Sequence, residues 1–336
     1  MMLSSDDARA LVGEANLAPS VHNTQPARWR FLDDRIEVFL DPTKLLAVGD
    51  PSGRDAGVSC GAAIEGMRLA LSRRGIGVLD VEDFWPATPP DRSGAPILIA
   101  RIQFGGTANP DPLAENVVKR FTWRGHFGPA ADTVVDRLRE TFLDRDDNVL
   151  VEGSDDMTFL ADLNDRLSLR VLRDRAYREE LVSFMRLSRG HRSWNVDGMN
   201  LSALRLSRVE GWLARVALRY PFFEVAARLG IGEALVTERQ KTLSTTGALL
   251  FIQPREHSPL RMGRAFYRLW LTLTDAGFVA WPMAAISDDS EGVERCAERF
   301  SIPSTHRFIN TLRFGICPDN VQMQPARHPP EALIDP

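Results

Sequence analysis

Residues 61–77, GAAIEGMRLALSRRGIG, align without a gap against residues 263–279, GRAFYRLWLTLTDAGFV. The two stretches share the opening glycine (Gly61, Gly263), an alanine two positions later, a Leu–x–Leu pair (Leu69/Leu71, Leu271/Leu273) and a stopping glycine (Gly75, Gly277). Apolar residues at three- and four-residue spacing read as an amphipathic helix, and a glycine just past the last turn ends it. Ahead of each helix runs an apolar strand that closes on proline, IEVFLDP at Pro42 and ALLFIQP at Pro254. After each comes a strand that closes on glycine, LIARIQFG at Gly105 and FINTLRFG at Gly315. One such match is weak, because amphipathic helices resemble one another. Three in the same order point to an internal duplication, against the competing reading of two unrelated α/β units with ordinary periodicity.

Working outward, Asp6–Asn16 reads as a short helix capped by Ser4 or Ser5. Trp29–Leu32 and Arg35–Leu40 alternate as strands about Asp33-Asp34. Helical patterns follow at Asp132–Phe142, Asp156–Asp174 and Glu179–Leu187, and a long apolar one at Leu201–Leu229 is broken at Tyr220-Pro221. The expected fold is α+β: two antiparallel sheets flanked by long helices, with a pseudo-twofold axis between related halves. The halves fall at 1–106 and 107–336, the second carrying a helical insertion at about 185–242.

The 336 residues are 44% hydrophobic and 26% charged, with a formal net charge of -4, the balance of a globular protein and not of a strongly basic nucleic-acid binder. Cys60, Cys296 and Cys317 form no C-x-x-C pair, and the histidines show no ligand spacing, so no metal is expected. With no apolar run of spanning length and no signal-type N-terminus, the expectation is a cytoplasmic chain without a membrane partner. Gly53–Gly66 does not give G-x-G-x-x-G, which argues against a Rossmann dinucleotide site.

Two short segments carry candidate chemistry. Ala18-Pro19-Ser20-Val21-His22-Asn23-Thr24-Gln25-Pro26 places small and amide side chains between prolines, in a rigid loop rich in donors and acceptors. Such a loop suits the edge of a flat heterocycle, and equally a polar turn bonded to its own backbone. In Arg120-Phe121-Thr122-Trp123-Arg124, residues i, i+2 and i+4 project to one side if the segment is extended, a geometry that can wrap a phosphate. A bare R-x-T-x-R is more often a solvated basic strand.

In combination and order, these segments resemble the nitroreductase family, in particular its fused-repeat, Acg-like subgroup. The resemblance spans nearly the whole chain and implies a nitroreductase-like fold in which one polypeptide forms an internal pseudo-dimer around FMN. It places Pro19, Ser20, Val21, Asn23 and Gln25 at the flavin ring, with His22 near a substrate. It places Arg120 and Thr122 on the phosphate and ribityl chain, and Arg124 at the pyrimidine edge. Pro282-Met283-Ala284 resembles the family's loop at the flavin N5 edge, and Arg327 a late phosphate-binding residue. Ala27 stands where the family usually has tryptophan. The ring loop occurs only in the first half and the phosphate segment only in the second, so one FMN per chain is expected. NAD(P)H is the implied reductant and a nitroaromatic, quinone or enone the small-molecule acceptor. No protein nucleophile is required. An FMN-storing protein with little turnover and, more remotely, an oxygen-using oxidase are the other classes. The chain is expected to be a monomeric pseudo-dimer or a homodimer. The 185–242 insertion serves as a lid or as packing.

Overall fold

The computed structural model describes residues 3–229, 237–318 and 325–335. Helix α1 (Ser5–Ala15) opens on a reciprocal capping box between Ser4 and Asp7, which satisfies two backbone donors at once. Strands β1 (Ala27–Phe31) and β2 (Arg35–Leu40) lead to helix α2 (Arg54–Arg73), and β3 (Ile76–Asp83) and β4 (Ile97–Thr107) complete the first unit. The second contains α3 (Asp132–Phe142), β5 (Asn148–Val151), α4 (Ser154–Arg173) and α5 (Arg175–Ser183). The insertion then contributes the two-residue strands β6 (Met185–Arg186) and β7 (Met199–Asn200) and helices α6 (Leu201–Leu204), α7 (Arg208–Ala217), α8 (Phe222–Arg228) and α9 (Arg239–Leu243). Its residues 230–236 lie outside the described ones. Strand β8 (Gly247–Pro254), helix α10 (Pro259–Asp275), β9 (Val279–Pro282), α11 (Ala284–Asp288), α12 (Ser290–Arg299) and β10 (His306–Gly315) follow.

The two four-stranded sheets run β1-β2-β4-β3 and β5-β8-β10-β9, antiparallel throughout. Replacing β1, β2, β3 and β4 by β5, β8, β9 and β10 converts one order into the other. In both, a long helix (α2 or α10) connects the second strand to the third. Helices α2 and α10 pack against each other between the sheets, and here the repeat becomes spatial. A Cβ on Gly61 would lie 2.1 Å from the Leu260 carbonyl oxygen, and one on Gly263 would lie 2.0 Å from that of Val58. Val58 and Leu260 stand at the same sequence offset as Gly61 and Gly263, so the contact is reciprocal, as an interface about a twofold axis must be. Only glycine permits so close a crossing.

Strand β8 is buried at every position from Gly247 to Gln253 because helices cover both faces of its sheet. Leu249 and Phe251 pack with α3 and α10, whereas Ala248, Leu250 and Ile252 pack with α4, α11 and α12. Residues Leu260, Tyr267 and Leu271 of α10 join the core of the first half, so neither half closes its core alone.

Several expectations need correction. Strand β3 has no clear apolar alternation because it is a sheet edge, with Leu79 exposed and acids at Asp80, Glu82 and Asp83. Strand β5 and helix α12 were likewise not anticipated. The helix expected at 179–187 begins earlier, where Asp174 caps Ala176 and Tyr177, and ends at Ser183. The 201–229 stretch is three helices: Arg205 adopts a left-handed conformation and Ser207 starts a new capping box, before the expected break at Pro221. Pro282-Met283-Ala284 is a strand end running into a helix start. No helix among the described residues is long and apolar enough to cross a membrane.

Candidate functional site

The loop between α1 and β1 is held in an unusual backbone state. His22, Asn23 and Gln25 have φ of 44°, 59° and 53°, the left-handed region that non-glycine residues rarely enter. Such strain, of order 1–3 kcal/mol per residue, persists only where surrounding contacts over-determine it. Those contacts are present. Asn23 Nδ2 donates to the carbonyls of Gly198 (3.0 Å) and Ala326 (2.9 Å), and its Oδ1 accepts from Arg327 Nη1 (2.6 Å). Gln25 Nε2 donates to Val196 O (2.8 Å), and its Oε1 accepts from Asn16 Nδ2 and from the His328 N–H, each at 2.8 Å. Ser20 Oγ accepts from Gln25 N (3.1 Å), and Val21 N donates to Ser59 Oγ on α2 (3.0 Å). The polar-turn reading of this loop therefore holds in part: it bonds to itself through Ser20 and Gln25, and it is also clamped from the insertion and the tail.

Against the carbonyl side of this loop lie two buried guanidiniums. Arg120 Nη2 donates to Leu17 O (2.8 Å), and its guanidinium carbon sits 4.8 Å from the Trp270 ring centre and 5.9 Å from that of Tyr267. Arg327 donates to the carbonyls of Asn16, Leu17 and Ala18 as well as to Asn23 and Ala326. Those bonds use all five of its N–H groups. Arg120 Nε and Nη1, in contrast, are buried without a well-formed hydrogen bond, with the Tyr267 hydroxyl close enough to interact with the guanidinium. Neither arginine has a carboxylate partner among the described residues. Burial, and then the Arg120 charge, lower the Arg327 pKa to about 9, and burial also lowers that of Arg120. Two desolvated cations side by side, one with open donors, form a site that an anion would complete.

The pseudo-symmetric position differs. Glu65 and Arg68 of α2 align with Tyr267 and Trp270 of α10 in the repeat. The buried Glu65 carboxylate accepts from Arg68 (2.8 Å), Arg268 (3.0 Å) and Arg264 (3.4 Å), and Arg268 also meets Asp111 at 2.7 Å. There the cations already have their carboxylates.

The segment 120–124 forms no strand, and its one ladder contact is an isolated bridge at Thr122. Thr122 bridges Ala280 on β9 and Trp123 N donates to Ala280 O (3.0 Å), while the Thr122 hydroxyl makes no hydrogen bond among the described residues. Arg124 turns toward the insertion, near His22 of the loop. Its Nη1 donates to Ala203 O (3.0 Å), Nη2 lies 3.7 Å from Met199 Sδ, and the guanidinium stands 5.8 Å from the Trp281 ring centre. Burial and the nearby Arg313 lower its pKa to about 10, so it stays cationic at neutral pH. Arg313 stacks on Trp281 at 3.8 Å and pairs with Glu238 at 2.9 Å. His22 stacks against Phe184 at 6.0 Å, and burial followed by the Arg124 charge lower its pKa to about 4.

Of the sequence candidates, the structure brings together Ser20, Asn23, Gln25, Arg120 and Arg327, with Pro19, Val21 and His22 on the same loop. Arg124 lies on the insertion side. Met283 does not join them. Its side chain is in the core of the second half and its N–H donates to Thr311 O (2.7 Å). Pro282 pairs with Leu312 in the sheet, and Ala284 begins α11. Tyr267, Trp270, Arg313 and Trp281 were missed. The aligned repeats held a signal for the first two, since aromatics replace the charged Glu65 and Arg68 there. Carbonyls of Val196 and Gly198 cover the loop, that of Asn195 accepts from Arg327 N and that of Ala203 from Arg124, so the insertion is the outer wall of this region. Two open surface crevices, of about 400 Å³ beside Phe31 and Ile334 and about 270 Å³ beside Phe223 and Arg228, contain none of these groups. No metal-binding cluster occurs among the described residues.

No family model matches the chain. It is 34% identical over 146 residues to a Mycobacterium tuberculosis (H37Rv) protein named "Putative NAD(P)H nitroreductase acg", covering 42% of each chain. It is 39% identical over 71 residues, 21% of each chain, to "Putative NAD(P)H nitroreductase Rv3131" of the same organism. The matched part thus spans well under half of those curated relatives. Among solved structures, the FMN and NADPH-dependent nitroreductase NfnB from a Sphigopyxis strain aligns with 66% of this chain and 97% of its own. That alignment has 14% identity and a TM-score of 0.36, too low to carry an argument.

Proposed function

We propose, from its sequence kinship with the Acg-type nitroreductases and from the arginines at the junction of its halves, that this chain is an FMN-dependent NAD(P)H oxidoreductase holding one flavin. The observation that carries the reading is the buried Arg120–Arg327 pair, without a carboxylate among the described residues and with Arg120 Nε and Nη1 open. A dianionic phosphate is the ligand such a pair fits. The matching position in the other half is occupied by Glu65, which supports one anion per chain and not two.

In this reading Arg120 takes the phosphate. Arg327 holds the 16–18 carbonyls and Asn23 in place and adds its charge. The ring would rest by the strained 19–25 loop, whose donors are now satisfied by carbonyls of the insertion; those contacts exchange when the ring binds. Bound FMN supplies the redox chemistry, accepting a hydride from NAD(P)H and passing it to a small nitroaromatic, quinone or enone. The chain supplies orientation, water exclusion and charge. Arg124, still protonated at neutral pH, is a fixed positive charge able to stabilise negative charge developing at a pyrimidine edge. His22 is held neutral and does not serve as an imidazolium acid.

The test is the absorption spectrum of the purified chain with flavin-to-protein ratio, followed by anaerobic addition of NADPH or NADH and then a nitroaromatic. The expected result is one FMN per chain, bleached by the nicotinamide and re-oxidised by the acceptor. A ratio of two removes the one-site reading. Flavin that never bleaches assigns storage in place of turnover, and a chain that cannot be loaded with FMN removes the proposal.

A further inference from the structure

Thirteen large hydrophobic side chains are exposed among the described residues, and seven of them fall between positions 209 and 229. They are Val209, Trp212, Leu213, Tyr220, Phe222, Val225 and Leu229, each 50–69% exposed. The helices that carry them are well founded locally. In α7, the Glu210 N–H donates to Ser207 Oγ (3.2 Å) and the Ser207 N–H to Glu210 Oε2 (2.7 Å), a complete capping box. Yet α7 is packed inside out. Its buried residue is Gly211, where a Cβ would lie 2.2 Å from Leu201 Cδ2, so the smallest residue faces the protein and the large apolar ones face away. Helix α8 is anchored by Phe223 and shows Phe222, Val225 and Leu229 outward at i, i+3 and i+7, one helical face.

Among the described residues of α7, α8 and their connection, arginines outnumber acids, and both acids are engaged. Glu210 is committed to the α7 cap and Glu224 to the buried Arg178. Arg208, Arg215, Arg219 and Arg228 pair with no carboxylate among the described residues. Arg208 and Arg215, seven apart, line one flank of the apolar face. Isologous pairing with a second copy would bring these four cations near four more, against only the capping Glu210 and the paired Glu224 among the described acids of α7 and α8. An acidic lipid headgroup is their complement, and Trp212 and Tyr220 are the side chains that settle at a bilayer interface. At 10 and 7 residues, α7 and α8 can lie in the interface but cannot span it.

We propose that α7–α8 is a peripheral docking element that lays its outward apolar face into the surface of an anionic membrane, with Arg208, Arg215, Arg219 and Arg228 on the headgroups. This goes beyond the expectation of no membrane partner, which considered spanning runs and a signal-type N-terminus but not a helix lying in the interface.

The test is co-sedimentation of the full-length chain with phosphatidylcholine vesicles, with and without phosphatidylglycerol, at low and high salt. Binding is expected only to the phosphatidylglycerol vesicles and to weaken with salt. Arg215→Glu with Arg219→Glu should reduce it by roughly 30-fold or more, taking about 1 kcal/mol per arginine at the surface. Trp212→Ser with Phe222→Ser, both at exposed positions, should abolish it while circular dichroism and the melting temperature stay as in the parent. No binding to anionic vesicles, or binding unchanged in both variants, overturns the proposal. So does a dimer in sedimentation equilibrium that the Trp212/Phe222 variant dissociates in the absence of any vesicle binding, since the face would then be a self-association surface.

Discussion

Replacing Arg120 with methionine separates a ligand-binding arginine from a structural one, because the two roles move stability in opposite directions. In the FMN-free chain, Arg120 leaves Nε and Nη1 buried without a well-formed hydrogen bond. Each unmade bond costs about 1–3 kcal/mol. Against that stand one hydrogen bond to Leu17 O, worth about 1 kcal/mol, and the stacking on Trp270, worth up to about 2 kcal/mol. Leu17 O keeps a second donor in Arg327, so it is not orphaned by the change. Setting about 2–6 kcal/mol for the two unmade bonds against about 1–3 kcal/mol leaves the FMN-free Arg120→Met variant between about 1 kcal/mol below the parent and about 5 kcal/mol above it. The range centres on a rise of a few degrees in melting temperature. Binding should move the other way. Two charge-assisted bonds to a phosphate at about 1.5–3 kcal/mol each correspond to roughly 10²–10⁴-fold weaker FMN binding, read by quenching of flavin fluorescence. The melting-temperature rise that FMN confers on the parent should vanish with it. Arg120→Lys, which keeps a charge but loses the planar fork, should fall between. A variant that binds FMN within tenfold of the parent, or whose ligand-free form melts well below it, refutes the reasoning and makes Arg120 a core strut.

The helix crossing offers an independent check: Gly263→Ala puts a methyl 2.0 Å from Val58 O. The helices must separate, so a net loss of about 1–3 kcal/mol in chemical denaturation is expected after the alanine helix preference is credited. Gly61→Ala should cost a similar amount, and no change in either would deny the close reciprocal contact. His22 makes a pH prediction. Its folded pKa of about 4 lies below the ordinary 6.5, so the unfolded chain binds the proton more readily. Its contribution is fully present above pH 6.5 and is lost as pH falls toward 4, by at most about 3 kcal/mol. His22→Gln should flatten that part of the pH–stability curve, and an NMR titration of the ring that reports an ordinary pKa would contradict it. Finally, Asn23→Ala removes bonds to Gly198 O, Ala326 O and Arg327 that hold a left-handed residue. It should cost about 2–3 kcal/mol and speed hydrogen exchange in residues 19–25, and unchanged exchange would show that the loop is held by other contacts.

The repeat was legible because duplicated helices keep the features that packing demands at fixed spacing. Gly61 and Gly263 mark the crossing, and the strands that close on Pro42 and Pro254 precede it. Strand β8 showed as an unbroken apolar run because both its faces are covered, while β3 stayed hidden because an acidic edge strand lacks a buried face to pattern it. The breaks at Arg205–Ser207 escaped notice since the apolar spacing continues across them, and only the left-handed Arg205 and the new cap end the first helix. At the site, the Ser20–Gln25 loop and Arg120 stood out by residue type and order. Composition could not distinguish Arg327, whose donors are all spent on loop carbonyls, from Arg120, whose donors are not.

What the sequence by itself determined is the duplication and the long helices and strands at its centre, and it singled out Arg120 and the 18–26 loop as candidates, since these follow from local periodicity and side-chain chemistry. What only the tertiary structure decided is which cations lack a counter-ion, that Met283 belongs to the core, and that α7 turns its small face inward. Burial and pairing are properties of elements far apart in the chain. Glu65 neutralises Arg264 and Arg268 from another helix, and no carboxylate among the described residues does the same for Arg120.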